Sequence, residues 1–143
     1  MTRVDFYVLP EAEDVGPVLL VCRLCEKAVG TGQKVFVHGG DPALLDDIDG
    51  ALWSFRDNGF LAHERLDAEG ACSPLASVAI GDREPPDSHR DVLINIADEV
   101  PRFFSSFERV LEPVFGDSEQ RAVARARFGF YRERGYALQT HKL

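Results

Sequence analysis

The chain has 143 residues, 45% of them hydrophobic and 28% charged, with a net charge of −8. That is too apolar for a disordered chain and long enough for one core, so a single domain over 1–143 is expected. Residues 1–118 hold ten Lys and Arg against 22 Asp and Glu, a balance of −12, while residues 119–143 hold six against two, a balance of +4; an acidic body of this kind repels phosphates and excludes a broad duplex-DNA surface.

Arg3–Leu9 reads as a strand with Val4, Phe6 and Val8 on one face and Tyr7 and Leu9 on the other, which marks a buried strand. Pro10–Gly16 reads as an acidic loop. Pro17 opens a helix whose apolar periodicity runs over Val18–Val29 and stops at Gly30-Thr31-Gly32. Lys34–His38 is a second strand. Gly39-Gly40 then turns the chain into another helix, with Asp41 as N-cap and Pro42 at the first helical position. Leu44, Leu45, Ile48 and Leu52 form its inner face, and Asp46, Asp47 and Asp49 its outer one.

Leu61–Leu66 and Ser77–Ile80 are weaker strand candidates, and Gly81–His89 is a polar surface loop with Pro85-Pro86. Asp91–Ile96 and Phe107–Val114 read as strands. Asp117–Arg134 reads as the last helix, capped by Asp117 with Gln120 three residues on and closed by Gly135. Strand–helix alternation implies right-handed crossovers and a mostly parallel sheet, so the expected class is a three-layer α/β/α, Rossmann-like single domain.

Such a chain invites a nucleotide-dependent enzyme as one reading. The first strand–helix junction, Leu9–Gly16, argues against it: one glycine and three acids offer a pyrophosphate no cradle. Gly30–Lys34 follows a helix, the wrong order for a phosphate loop. Gly39-Gly40-Asp41 has the right order, but a tight turn with an N-cap accounts for it. Cys22-Arg23-Leu24-Cys25 lies in mid-helix, away from the helix start that activates a thiol. Cys72 and His38, His63, His89 and His141 show no metal-ligand spacing. No catalytic centre, cofactor site or metal site emerges. The odd cysteine count suits a reducing cytosol, and no apolar run approaches the ~20 residues that span a bilayer, so a cytoplasmic protein is expected.

Two places can bind a partner. Arg121, Arg125, Phe128 and Arg132 fall on one helical stripe, three guanidiniums around an aromatic, with Val123, Ala126 and Phe130 as the expected core contacts. Guanidiniums and an apolar seat suit a short acidic peptide with an apolar end; a solvated arginine face is the alternative. The second place is Ala51-Leu52-Trp53-Ser54-Phe55 with Phe60-Leu61. Trp53 and Phe60 there are either interface anchors, and then partly exposed, or packing at the core edge.

The ordered set Phe6-Tyr7-Val8-Leu9, Ala51-Leu52-Trp53, Phe60–His63, Arg90-Asp91-Val92-Leu93-Ile94-Asn95-Ile96 and the Arg125–Gly135 helix end resembles the chi subunit of bacterial DNA polymerase III over essentially the whole chain. The resemblance implies a non-catalytic α/β/α accessory subunit of the clamp-loader complex, associated with the replisome. It implies an adaptor that grips the acidic, Phe-terminated C-terminal tail of single-stranded-DNA-binding protein and meets DNA only indirectly. The tail-binding residues of the family match Arg125, Phe128 and Arg132. A family lysine falls at Gly129, where Arg121 or Arg127 can compensate. Trp53 and Phe60 match the aromatics that meet the psi subunit or a chi-binding helicase.

Overall fold

In the computed structural model, which describes residues 1–10, 16–54 and 61–143, the chain builds one seven-stranded sheet. The strands are β1 (Arg3–Val8), β2 (Val35–His38), β3 (His63–Arg65), β4 (Val78–Gly81), β5 (Val92–Asn95), β6 (Arg109–Val114) and β7 (Ala137–Lys142), in the order β3-β4-β2-β5-β6-β1-β7. Every pairing is parallel. Helices α1 (Pro17–Gly30) and α2 (Pro42–Ser54) cover one face of the sheet, and α3 (Ser118–Glu133) covers the other. This is the expected three-layer α/β/α arrangement.

The alternation read in β1 sorts its side chains between two cores. Val4 and Phe6 are buried beneath α3, while Leu9 is buried and Tyr7 packs on the α1–α2 side. In α2, Asp41 accepts from the Ala43 amide at 3.0 Å, and Leu45, Ile48 and Leu52 face inward. The weak strand expected over Leu61–Leu66 narrows to β3. The strand expected from Phe107 begins at Arg109, because Phe107 closes a 3-10 turn (Phe104–Ser106) and is itself buried.

One element is added to the sequence reading and two readings are corrected. The segment after Gly135, for which the sequence predicts no element, is a full strand, β7, which pairs with β1 at the outer edge of the sheet. The loop Gly81–His89 is polar, yet His89 is fully buried, with Nε2 donating to the Ala76 carbonyl at 2.6 Å. The inner face of α3 is not Val123, Ala126 and Phe130. Its buried residues are Ala124, Arg127 and Tyr131, while Val123 and Ala126 are exposed and Phe130 is half-buried. The acidic stretch 11–15 and the residues Phe55 and Phe60 lie outside the described residues.

A buried polar network decides how α3 sits. Glu112 of β6 is fully buried. It accepts from Arg127 Nε at 2.8 Å, from the Tyr131 hydroxyl at 2.7 Å and from Asn95 Nδ2 at 2.9 Å. Burial pushes the Glu112 carboxyl above its usual range, against the opposing pull of the Arg127 charge and the three donors. Burial next to Glu112 likewise pushes the Tyr131 hydroxyl up, so it stays a donor. Arg127 also donates to the Asp98 carbonyl at 3.2 Å. A buried carboxylate with its partners satisfied fixes one rotation of the helix about its axis, and that rotation sets which residues look outward.

Candidate functional site: a basic pocket under α3

Both ends of α3 are specified locally. The Asp117 side chain accepts from the Gln120 amide at 2.9 Å, and Gln120 Oε1 accepts from the Asp117 amide at 3.0 Å. This reciprocal cap requires Gly116: its φ is +92°, and a Cβ there would lie 1.6 Å from Gln120 Oε1. At the other end Gly135 has φ +78°, and its amide donates to the Arg132 carbonyl.

Between α3 and the sheet edge lies a pocket of about 210 Å³. Its floor is Phe6 and Val8 of β1, Val114 of β6 and Thr140 of β7; its wall is Arg121, Ala124, Arg125 and Phe128 of α3. Phe128 is half-buried and meets Phe6 edge to face, with ring centroids 5.2 Å apart. The guanidinium of Arg132 lies 6.0 Å from the Phe128 centroid. The pocket is therefore apolar at its base and cationic at its rim. It is below the roughly 300–1,000 Å³ of a drug-sized ligand site and suits one or two side chains.

The predicted stripe is thus brought together, with changes of role inside it. Arg125 and Arg132 are exposed at the rim. Arg121 is half-buried and donates to the Gly116 carbonyl at 2.9 Å and the Leu9 carbonyl at 2.7 Å, so it secures the helix start to the end of β1. Arg127 cannot stand in for a missing cation at position 129, because it is buried on Glu112. Gly129 itself has nothing within 4 Å of where a Cβ would be.

A family model described as "DNA polymerase III chi subunit, HolC" matches residues 1–139. The chain belongs to the DNA polymerase III chi subunit family. It is 48% identical to the DNA polymerase III subunit chi of Pseudomonas aeruginosa over 143 residues, covering all of this chain and 98% of that one. It is 29% identical to the Haemophilus influenzae subunit chi, covering 97% and 96% of the two chains, and 26% identical to that of Escherichia coli, covering 98% and 97%. The family places the chain in DNA replication, as a subunit of the polymerase III complex.

Away from this pocket the chi-family fold leaves other sequence candidates in structural roles. Cys22 and Cys25 are fully buried in the middle of α1; burial pushes the Cys22 thiol up to about 11 and Cys25 higher still. Such thiols stay protonated and unreactive. Gly40 and Pro42 line a cleft with Arg65 and Arg83, but both guanidiniums are paired, Arg65 with Asp46 at 2.7 Å and Arg83 with Asp82 at 3.0 Å. Among the described residues, no group of three or more His, Cys, Asp and Glu is placed to hold a metal ion, and no helix is long and apolar enough to cross a membrane.

Sequence reasoning missed two clusters. Cys72 Sγ lies 3.7 Å from His89 Nδ1. Because His89 Nε2 carries the proton given to Ala76, Nδ1 accepts, and Ser88 offers its hydroxyl there at 2.8 Å. Burial, with Glu64 and Asp67 nearby, raises the Cys72 thiol, so the pair has the spacing of a nucleophile and base but not the electrostatics. On the α1 side, Asp5 accepts from Arg109 at 2.8 Å and from His141 at 3.1 Å. Burial opposes its charge, yet these two donors hold its carboxyl below the usual range. No periodicity in the sequence signals either cluster; each joins residues on different elements.

Trp53 lies in the last turn of α2 and is 59% exposed, the exposure expected of an interface anchor, with its ring edge-on to His63 at 4.6 Å.

Proposed function

We propose that this chain is a non-catalytic adaptor of the polymerase III clamp-loader complex, whose α3 pocket binds the acidic C-terminal tail of single-stranded-DNA-binding protein. The observation that carries the reading is the apolar pocket with Arg125 and Arg132 at its rim, in a chain of the chi family. The tail ends in Phe. Its ring would enter over Phe128 and Phe6, its terminal carboxylate would pair with Arg125, and upstream acids would meet Arg132. A guanidinium fork matches a carboxylate in two hydrogen bonds, which Lys cannot do. The acidic body then serves the function, since the subunit reaches coated single strands through a protein and does not compete for the DNA.

The second contact in this proposal is the psi subunit or a chi-binding helicase, met by Trp53 and Phe60. The exposure of Trp53 supports it. The setting is the cytoplasm, at the replisome. Fluorescence anisotropy with a labelled tail peptide tests the first contact: binding should saturate and weaken as salt rises. The absence of saturable binding by the intact chain rejects it.

A further inference from the structure

The side of α3 that the sequence marks as core is only partly covered by the fold, Phe130 being half-buried against Phe104. Val123, Ala126 and Phe130 stand at i, i+3 and i+7, a helical apolar stripe. Val123 is 38% exposed and Ala126 is exposed. Together with the loop Asp98–Val100 they border a groove of about 540 Å³. The basic pocket lies on the other side of the helix; at 100° per residue the two stripes are about 100° to either side of the buried line Ala124, Arg127 and Tyr131.

The charge around this groove is the reverse of the first. Residues 119–143 contain only two acids, Glu119 and Glu133. Both extend the apolar stripe, one turn before Val123 and one turn after Phe130, and both are exposed. Asp98 and Glu99 are exposed on the facing loop. Of the nearby cations, Arg127 is committed to Glu112 and the Asp98 carbonyl. Arg134 lies 3.6 Å from the Phe130 centroid and donates to the Phe130 carbonyl. At the Phe130 end Glu133 is thus accompanied by the Arg134 cation, whereas Glu119 stands at the Val123 end and Asp98 and Glu99 line the facing loop.

We infer that this groove is a second docking surface, which takes an amphipathic helix of a protein partner with Leu-like side chains on one face and Lys or Arg beside them. The stripe from Glu119 to Glu133 spans fifteen residues, about 21 Å along the axis, enough for three to four turns of a partner helix. The charge complement fixes the class of partner: an acidic tail suits the arginine flank, and a basic helix suits this one.

The test uses the full chain and a labelled fourteen-residue Leu/Lys amphipathic peptide as probe, read by anisotropy at fixed ionic strength. Ala126→Arg, which fills the groove with a cation, and the double change Asp98→Lys/Glu99→Lys should each weaken binding tenfold or more. Asp47→Lys/Glu69→Lys makes the same charge change at exposed acids elsewhere and should leave binding within twofold. A Leu/Glu peptide of the same pattern should not bind, and affinity for an acidic Phe-ended peptide should stay within twofold in Ala126→Arg. Equal weakening by the control reversal, no effect of Ala126→Arg, binding of the Leu/Glu peptide, or no binding of the Leu/Lys probe each overturns the inference. Sedimentation showing that the wild type self-associates, and that Ala126→Arg separates it, overturns it in favour of a second copy.

Discussion

The two flanks of α3 share a helix and differ in almost everything else. One flank turns Arg125, Phe128 and Arg132 toward a pocket floored by β1, β6 and β7. The other turns Val123, Ala126 and Phe130 toward an open groove edged by Asp98 and Glu99. Both follow from one fixed rotation of the helix, and the Glu112–Arg127–Tyr131 network holds that rotation. The lesson is that the buried polar line between two surfaces, more than either surface, determines what each presents.

The comparison breaks most severely at that line. Arg127→Ala leaves Glu112 buried without its charge partner, a change of the kind that costs about 3–5 kcal/mol. Chemical denaturation should show a loss of that order, out of a total that is ordinarily about 5–15 kcal/mol, and probes for both flanks should lose binding together. Arg125→Ala should leave the same denaturation curve nearly unmoved, because the side chain is exposed.

The next effect separates the flanks. Arg125→Ala and Arg132→Ala should each weaken binding of an acidic Phe-ended peptide about tenfold or more, from the roughly 1.5–3 kcal/mol of a charge-assisted hydrogen bond. Titration by calorimetry or anisotropy measures it, and the loss should shrink at high salt.

Gly129→Lys sharpens the comparison in the other direction. Nothing lies within 4 Å of its Cβ position. Replacing a mid-helix glycine should add roughly 0.5–1 kcal/mol of stability. The added cation should also tighten peptide binding a few-fold, in keeping with the ~0.2–1 kcal/mol of an exposed ion pair. Thermal melts and peptide titration read the two gains separately.

The smallest effect concerns the opposite face of the two strands, β1 and β7, that help to floor the basic pocket. Asp5 pins β7 to β1 through His141, with its carboxyl held below the ordinary value of 3.8. A carboxyl depressed in the folded state stabilises fully above its unfolded value and loses that contribution as pH falls through the folded one. Urea melts from pH 5 to pH 2 should therefore show part of the acid loss, and Asp5→Asn should flatten that limb. The effect is modest because β7 keeps its backbone ladder with β1.

Much of this fold was legible in the chain. The two-faced alternation of β1, the Pro17 and Asp41–Pro42 helix starts and the Asp117–Gln120 box are local signals, and local physics decides them. β7 was not legible: Ala137–Lys142 is an edge strand whose side chains are mostly exposed, with Thr140 as its one β-branched residue, so it lacks the apolar alternation that marks a buried strand. The inner face of α3 was misread for a different reason. Apolar periodicity counts an arginine as outward-facing, whereas the burial of Arg127 depends on Glu112, fifteen residues away in another element. In the candidate site, Arg125 and Phe128 were visible from helical spacing. The floor of Phe6, Val114 and Thr140 exists only once three strands are aligned.

The most direct measurement is a backbone NMR titration of the full chain with an acidic, Phe-ended tail peptide. The account predicts saturable shifts at Arg125, Phe128 and Thr140, with Val123 and Ala126 unmoved. Shifts centred on Val123 and Ala126, or none that saturate, would contradict it.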